Sequence, residues 1–600
     1  MKKFISYYQD ELSLLRKKGG VFAKIHPDVA ANLDIKNGES SDPHTERIIE
    51  AVAFMAAKIH QKIDDNAQEI AGHLLSALYP NLVNIFPPCS VARFEASGTM
   101  LPPEKVSIPR ETDLFVTSKE GVECLFKTIY PLNLYPITIT DVGLVRTASH
   151  STGTEGWHIK IDISSKVKPL EKITLSDMLF HINSEITDDA LLIYSAIFSD
   201  PNKSVYLMIN GQRIEVNPRN IVQCGFSDTE SVCPVPRYST NSLQLFQEMM
   251  HFRRKFMFFR ITDLDKLIVG SGLTEITDMS LFIGISLSNK RLHQIVDSSA
   301  IMLNATPIVN LFKVTSDPFR FDGTKPKYLL WADQVRDRSI EIHSITEMHM
   351  IDSGTKDDMI VQPYFALSVD ADTNITHDVF WLASKDLSEA RNLDGFDTYI
   401  SLVDTKMNPW DVYDSIVYAK TLCTNRFEAR DIPTHSKMTA GSMETAGYSG
   451  SLLYNVSLPV SFQENFTMLW ELVSQLSALH ISIAGSHNML SAVKKFMAIF
   501  EGSHKSSTDW LANVVDISIT DIVRRFGNDA WRGFVRGREI SVSTKEENGA
   551  PISYFCCCIL NQYLSSIISL NSFIQLKLMS SLSGKPIATW LPTSGRSELM

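Results

Sequence analysis

The amino-terminal region of the chain carries apolar residues at the spacing of an amphipathic helix. Asp42 and Pro43 are typical of a helix start. Apolar positions then recur three or four residues apart, at Ile48, Val52, Met55, Ile59 and Ile63. A second series follows Asn66 and stops at Pro80, so the pattern predicts a helical hairpin that must bury one face.

An aromatic-rich helix is predicted before this region. Its apolar positions are Phe4, Tyr7, Tyr8, Leu12 and Leu15, and Gly19 with Gly20 predicts its end. Because such apolar stripes suit subunit assembly, we expect seven residues to contact partner chains: Ile48, Val52, Met55, Ile59, Ile63, Tyr7 and Leu12. The alternative is that the stripe from Ile48 to Ile63 packs inside the chain's own core.

The periodicity changes to that of strands after Phe86-Pro87-Pro88. Apolar residues alternate with polar ones from Trp157 to Ile163, and Asn210-Gly211 predicts a tight hairpin between two strands. Further strand candidates are residues 256–261, 281–287, 340–345, 364–369 and 540–542.

The carboxyl-terminal third contains both helical and strand patterns of apolar residues. Residues 434–451 are rich in Ser, Thr and Gly and predict an exposed loop, whereas 490–500 and 554–570 predict helices. We therefore predict an α+β, multidomain chain with a helical amino-terminal region, β-rich domains and a mixed α/β carboxyl-terminal part. The predicted divisions are a helical assembly region at 1–86, β-rich domains at 87–300 and 301–433, and a mixed domain at 434–600.

Composition narrows the class of protein. The chain has 600 residues, 44% of them hydrophobic and 21% charged, which is ordinary for a globular protein of several domains. Its net charge of −11 argues against a general nucleic-acid binder. No secretory signal follows Met1, and Asn561 and Gln562 interrupt the longest apolar run, so we expect a cytoplasmic protein without direct membrane insertion.

The search for chemistry predicts no catalytic residue, no cofactor and no metal. The eight cysteines include no C-x-x-C pair, which argues against a disulfide framework or a zinc site. Asp370, Asp372 and Asn374 have the spacing of the first three ligands of a calcium-binding loop, but the required glycine and the last glutamate are missing. His343, Glu347 and His349 would share one face of a strand, and His480 and His487 flank an apolar turn; neither set has a metal-site motif.

Two basic clusters carry neighbouring aromatic residues. The first is Arg253 to Lys255, and the second comprises Arg524, Arg525, Arg532, Arg536 and Arg538 with Phe526, Trp531 and Phe534. Such clusters suit nucleic-acid stacking, protein-interface hot spots or a solvated strand edge. The acidic balance of the chain favours a protein interface over nucleic acid.

Several collinear segments resemble the TssF family (also VasA or ImpG) of type VI secretion baseplate proteins. The amino-terminal segments are Tyr7 to Leu12, Phe22 to Pro27, Asp42-Pro43, Glu46-Arg47, Asp64-Asp65, and His73 to Pro80. The later segments are Ile108 to Thr112, Gly121 to Thr128, Thr306 to Phe312, Cys423 to Arg426, Asp431 to Pro433, Trp470 to Ser477, Arg536 to Ile540, Ser569 to Phe573, and Trp590 to Pro592. Residues 140 to 300 carry little of this likeness.

The resemblance implies a non-enzymatic wedge subunit of a contractile baseplate. Two copies would join one TssG, TssK would connect the wedge to the inner-membrane complex, and TssE, the sheath and the VgrG hub would be further partners. No nucleic acid is implied. The alternatives are a β-rich hydrolase or binding protein acting on polysaccharide, for which two carboxylates in a deep pocket would be required, and a wedge subunit of another contractile injection apparatus.

Overall fold

The structure is a computed structural model. It describes residues 2–32, 35–36, 39–40, 42–96, 105–148, 155–165, 167–235, 242–285, 289–352, 358–364, 379–388, 395–404, 415–440, 447–461, 474, 489–501, 512–525, 534–545, 550–568 and 572–594. The chain divides into two compact units. The first is residues 1–77 with 463–473, and the second is residues 78–462 with 474–600.

Helices of the described residues concentrate near the amino terminus. They are α1 (Lys2–Ile25), α2 (Pro27–Asn32), α3 (Pro43–Leu78), α4 (Pro80–Val83), α5 (Thr187–Phe198), α6 (Ser242–His251), α7 (Leu264–Gly270), α8 (Lys290–Ile295), α9 (Met489–Glu501) and α10 (Pro551–Ile567).

Strands dominate the rest of the chain. They are β1 (Ile35–Lys36), β2 (Glu39–Ser40), β3 (Cys89–Ala96), β4 (Val106–Ile108), β5 (Asp113–Thr117), β6 (Glu123–Thr128), β7 (Leu132–Leu134), β8 (Thr138–Ala148), β9 (Glu155–Ser164), β10 (Asp177–Ile182), β11 (Val205–Ile209), β12 (Gln212–Glu215), β13 (Ile221–Gln223), β14 (Phe258–Thr262), β15 (Asp278–Ile285), β16 (Ile301–Met302), β17 (Ala305–Val309), β18 (Phe312–Thr315), β19 (Phe319–Phe321), β20 (Tyr328–Leu329), β21 (Glu341–Asp352), β22 (Asp358–Pro363), β23 (Phe380–Leu387), β24 (Phe396–Val403), β25 (Ser415–Thr424), β26 (Lys437–Ala440), β27 (Tyr448–Leu452), β28 (Val514–Arg525), β29 (Phe534–Thr544), β30 (Ser572–Ser580), β31 (Pro586–Thr589) and β32 (Thr593–Ser594).

The second unit contains a closed barrel with strand order β17-β3-β27-β26-β5-β6. Its strands come from three distant parts of the chain. Buried Phe94, Leu114, Phe126 and Ile308 belong to the same apolar core, and closing the barrel leaves its sheet without an exposed edge.

Four open sheets of four to eight strands accompany the barrel. Their orders are β13-β14-β10-β16, β12-β11-β15-β9-β8, β18-β25-β21-β22-β23-β24-β20 with β19 on β25, and β28-β29-β30-β31 with β32 on β30. The third has a second apolar core around Met348, Ile400 and Val417. The α+β, multidomain class predicted from the sequence is therefore confirmed.

The alternating pattern correctly predicts strands within these sheets. Residues 155–164 form β9, in which Ile159, Ile161 and Ile163 are all buried. Asn210 and Gly211 have φ angles of 49° and 81° between β11 and β12, the left-handed conformation that the predicted hairpin turn requires.

The carboxyl-terminal part contains a β-α-β unit. Strands β29 and β30 pair in parallel with Ile540 opposite Leu576, and α10 provides the connection that parallel pairing needs. Helix α10 buries Phe555, Cys557 and Leu564. The apolar run at 554–570 therefore begins as a core helix, as predicted, and 490–500 lies within α9.

Three details predicted from the sequence are wrong. The expected helical hairpin at 42–80 is instead the single helix α3, which contains no proline after Pro43, and Asn66 costs too little helix propensity to break it. Helix α1 continues through Gly19 and Gly20 to Ile25. The expected loop at 434–451 contains β26 and the start of β27, because pairing in the barrel overrides the weak strand propensity of glycine and serine.

Gly225 illustrates how tightly the second unit is packed. Its φ is +100°, and a Cβ there would lie 2.8 Å from Phe256 Cδ1 and 2.9 Å from the Tyr130 hydroxyl oxygen. We expect Gly225→Ala to lower the free energy of unfolding by about 3 kcal/mol, since it combines backbone strain with overpacking.

Gly211→Ala is the matched control for this prediction. Gly211 has a φ of +81°, and a Cβ added there would meet nothing within 4 Å, so only the backbone strain remains. We expect a loss of about 1 kcal/mol for this variant in urea unfolding monitored by tryptophan fluorescence. Equal losses for the two variants would contradict the packing argument.

Candidate partner-binding surface

The apolar stripe on α3 is exposed to solvent. Its members have exposed fractions between 46% and 65%, and they are Ile48, Val52, Met55, Ile59 and Ile63. The same helix buries Ala53 and Ala57 completely. At 3.6 residues per turn, the exposed stripe and the buried side are roughly 140° apart on the helix. The chain therefore buries the small side of α3 and leaves the large aliphatic side uncovered.

Specific contacts fix α3 against α1 within the first unit. Phe4 and Phe54 make an edge-to-face contact with ring centroids 5.1 Å apart. Arg16 Nη2 lies 2.6 Å from Glu46 Oε1. These contacts fix which side of α3 faces α1. The exposed stripe therefore lies on one defined side of the helix.

The start of α3 is stabilised by a capping carboxylate. Asp42 accepts hydrogen bonds from the backbone amides of His44 and Thr45 and from the Thr45 hydroxyl. These hydrogen bonds, led by that of His44, lower the pKa of Asp42. The helix start predicted from Asp42 and Pro43 thus has the expected cap.

Tyr7 and Leu12, the other two predicted contact residues, lie on α1 and are half-buried. Near them, Glu11 is buried and its Oε1 lies 2.7 Å from His60 Nδ1 of α3. The structure thus places the seven predicted contact residues in one unit but on two different surfaces. Sequence spacing alone could not show that Tyr7 and Leu12 are partly covered by the chain itself.

The segment after α3 is held firmly within the second unit. The Phe86 amide donates to the Val460 carbonyl at 2.7 Å, and Asn81 Nδ2 donates to Gln244 Oε1 at 2.9 Å. Lys385 Nζ donates to Asn84 Oδ1 at 3.1 Å, and burial lowers the pKa of Lys385 to about 8. Sequence reasoning missed this half-buried lysine because a lone lysine in a strand has no distinguishing pattern.

A buried ion pair lies between α6 and the turn that follows it. Lys255 Nζ donates to Glu248 Oε2, and neither side chain is exposed. Glu248 Oε1 also accepts from the Val232 amide at 2.8 Å and from Gln244 Nε2 at 3.1 Å. Lys255 belongs to the first basic cluster. Because its ammonium group is buried against Glu248, it does not contribute to a basic surface.

Arg254 of the same cluster is also engaged within the chain. Its guanidinium carbon lies 3.6 Å from the centre of the Tyr454 ring, and its nitrogens donate to the carbonyls of Ser184 and Glu185. In the second cluster, Arg538 Nε lies 3.2 Å from Asp521 Oδ1, while Phe534 is 78% exposed. Phe526, Trp531 and Arg532 lie outside the described residues.

The two described histidine candidates, His343 and His349, have partners other than a shared metal site. His343 is buried with Nε2 4.0 Å from Cys233 Sγ, and burial lowers its pKa to about 3. His349 instead lies 3.3 Å from Glu347 Oε2 and 3.2 Å from Asp358 Oδ1. Within the described part of the chain, no group of three or more His, Cys, Asp or Glu residues is arranged to hold a metal ion. Asp370, Asp372, Asn374, His480 and His487 lie outside it.

All eight cysteines are buried as free thiols. Burial raises the pKa of the Cys124 and Cys558 thiols to about 12. A thiol at physiological pH with such a pKa is a weak nucleophile, so these cysteines act as small apolar side chains.

A cavity of about 20 Å³ lies beside Glu341, Asp397 and Arg426. This volume accommodates about one water molecule and no sugar ring. Its acids already have partners in the protein, since Glu341 Oε1 accepts from the Phe396 amide at 2.8 Å and Asp397 Oδ1 lies 3.7 Å from Arg426 Nη2. The cavity does not provide the carboxylate pair that polysaccharide hydrolysis requires.

None of the helices in the described ranges is long and apolar enough to span a bilayer. The exposed stripe of α3 is an apolar surface on an amphipathic helix. Five large aliphatic residues on one helix side are a common basis for binding a partner helix.

Comparisons with known proteins show which family the chain belongs to. A sequence profile of the family described as "Type VI secretion system, TssF" matches residues 1–597. The type VI secretion system component TssF1 of Pseudomonas aeruginosa is 21% identical over 621 residues, and the match covers 99% of both chains.

Two solved structures share the fold. A chain of the type VI secretion TssK-TssF-TssG baseplate subcomplex has a TM-score of 0.71 at 19% identity, covering 92% of this chain and 100% of the other. A chain of the type VI secretion baseplate complex has a TM-score of 0.54 at 18% identity, covering 99% and 100%. Since the family profile spans almost the whole sequence, this chain belongs to the TssF family of the type VI secretion system.

Proposed function

We propose that the chain is a structural subunit of a type VI secretion baseplate wedge. The observation that carries this proposal is the exposed aliphatic stripe on α3 in a chain of the TssF family. Burying one such side chain contributes about 1.5 to 3 kcal/mol, so five of them support a stable interface. The wedge would support assembly of the tail and transmit the firing signal to the sheath.

The partners proposed for the α3 stripe are TssG and a second copy of this chain, in a helical bundle with two copies per TssG. The shared fold with a chain of a TssK-TssF-TssG subcomplex supports TssG and TssK as partners. TssE, the VgrG hub and the sheath are proposed from the family resemblance. The resulting complex would lie in the cytoplasm and reach the inner-membrane complex through partner proteins.

We propose no enzymatic reaction for this subunit. The cavity at Arg426 is too small for a sugar, and the thiols are buried. Among the described residues, nothing supports the alternative of a hydrolase acting on polysaccharide, and the TssF profile favours type VI secretion over another contractile apparatus.

Co-expression with TssG and TssK from the same type VI cluster tests the proposal. We expect a stable heteromer in size-exclusion chromatography with light scattering, and the measured mass gives the number of copies of this chain. A monomer that elutes unchanged in the presence of both partners would contradict the wedge function.

A further inference from the structure

The hairpin formed by β28 and β29 ends in an exposed surface that is both apolar and basic. We define the β28 edge site as Val523, Arg524, Phe534 and Arg536. Val523 is 58% exposed, Phe534 is 78% exposed, and both arginines are exposed. Neither arginine makes an ion pair within the described part of the chain. The site therefore carries two positive charges that no described carboxylate balances.

The strand register brings the four residues of the β28 edge site together. Val523 lies opposite Arg536, and Arg524 lies opposite Val535. Because side chains alternate along a strand, Phe534 and Arg536 share the face of Val523, and Arg524 lies on the other face. The two arginines therefore lie on opposite faces of the hairpin.

Strand β28 lies at the edge of its sheet. It pairs with β29, and no other described strand pairs with it. The register with β29 shifts only between Val514 and Asp516, so the backbone from Asp516 to Arg525 forms a regular edge. The strand contains neither the lysine nor the proline that commonly protect such edges. Its outward N–H and C=O groups are therefore a template for an added strand.

A nucleic acid matches the β28 edge site less well than a peptide does. A phosphate backbone offers hydrogen-bond acceptors, whereas the edge of β28 presents both donors and acceptors. Phosphate binding also relies on a dominant basic surface, and this chain has a net charge of −11. An extended peptide satisfies both kinds of backbone group, and acidic side chains on it would meet Arg524 and Arg536.

We propose that the β28 edge site binds an extended acidic segment of a partner protein as an added strand. Backbone hydrogen bonds to β28 hold the segment, and an apolar residue of the segment packs on Val523 and Phe534. Acidic residues on its two faces pair with Arg524 and Arg536. Arginine and aromatic side chains are enriched among the residues that dominate protein interfaces. The site lies in the second unit, so the proposal does not depend on the α3 stripe.

The test uses the full chain and three labelled short peptides of alternating threonine and valine. The first carries two glutamates three positions apart, which places them on opposite faces of a strand, and the second carries lysines there. The third is the glutamate peptide with N-methyl groups on its central residues, which keeps the side chains but removes backbone donors. By fluorescence anisotropy we expect the glutamate peptide to bind at least tenfold more tightly than either of the others. Its preference over the lysine peptide should shrink when the salt concentration rises from about 50 to about 500 mM.

Charge reversal provides the decisive comparison. The double variant Arg524→Glu and Arg536→Glu should prefer the lysine peptide, whereas the matched control Lys325→Glu and Lys327→Glu, at exposed lysines of the second unit, should keep the original preference. Circular dichroism reports whether each variant is folded. The milder double variant Arg524→Gln and Arg536→Gln should lose the preference without reversing it, so it gives the same comparison if the reversed variant does not fold.

Several outcomes would overturn the proposal. Equal binding of the glutamate and lysine peptides, undiminished binding of the N-methylated peptide, or no binding of any peptide would each contradict strand addition by an acidic segment. Tighter binding of a single-stranded oligonucleotide, or capture by phosphatidylglycerol vesicles, would assign the site to another class of ligand. A dimer of the chain alone in light scattering that is lost in the Arg524→Glu and Arg536→Glu variant would assign the edge to a second copy.

Discussion

A chain carrying Val52→Asp and Ile59→Asp is expected to lose its complex with TssG while keeping its own fold. Both side chains are about half exposed in the chain alone, so replacing them removes little intramolecular packing. In the bundle, each aspartate would place a charge in an apolar contact. The loss of two aliphatic contacts alone amounts to about 3 kcal/mol, or roughly 100-fold weaker binding.

Co-purification and size-exclusion chromatography measure this effect, and circular dichroism with thermal melting reports on the fold. Val269→Asp with Leu582→Asp is the matched control, because these residues are also exposed aliphatics but lie in the second unit. The control variant should retain TssG. A folded Val52 and Ile59 variant that retains TssG would show that the α3 stripe is not the contact, and one that unfolds would favour packing within the chain.

The second large effect is expected at the buried ion pair of Glu248 and Lys255. Lys255→Met leaves the Glu248 carboxylate buried without its cation, and we expect the free energy of unfolding to fall by about 3 to 5 kcal/mol. The amide donors of Val232 and Gln244 remain, but they carry no full charge to compensate the carboxylate.

The double variant Glu248→Gln with Lys255→Met separates charge from packing. It removes both charges and keeps similar volumes, so it should recover most of the loss. Lys266→Met is the surface control, because the Lys266 side chain is 76% exposed beside Asp263 and its removal should leave stability nearly unchanged. Urea unfolding measures all three variants. A Lys255→Met loss no larger than that of Lys266→Met would contradict this explanation.

Local patterns predicted several elements correctly. Alternating residues indicated β9, Asn210-Gly211 indicated the hairpin between β11 and β12, and the apolar run starting at Tyr554 indicated a core helix. These elements were predictable because each depends on the backbone preference and burial of neighbouring residues in the chain. Asp42 likewise marked the cap of α3, since a cap involves only residues within one helical turn.

The candidate site was only partly predictable. The heptad-like spacing indicated the five α3 residues, but spacing does not tell whether a stripe faces the chain's own core or solvent. The pair of Glu248 and Lys255 was missed because two charges seven residues apart resemble a solvated surface until the surrounding fold buries them.

The sequence by itself determined the TssF family, the α+β class, the amphipathic stripe from Ile48 to Ile63 and the strands with a clear period of two. Only the tertiary structure decided that α3 is one helix, that its alanine side is buried while its aliphatic side is exposed, and that residues 437–440 and 448–452 join the barrel. The physical reason is that helix and strand periods arise from neighbouring residues. Burial and barrel pairing depend instead on contacts between separate segments of the chain, such as α1 with α3 and β3 with β27.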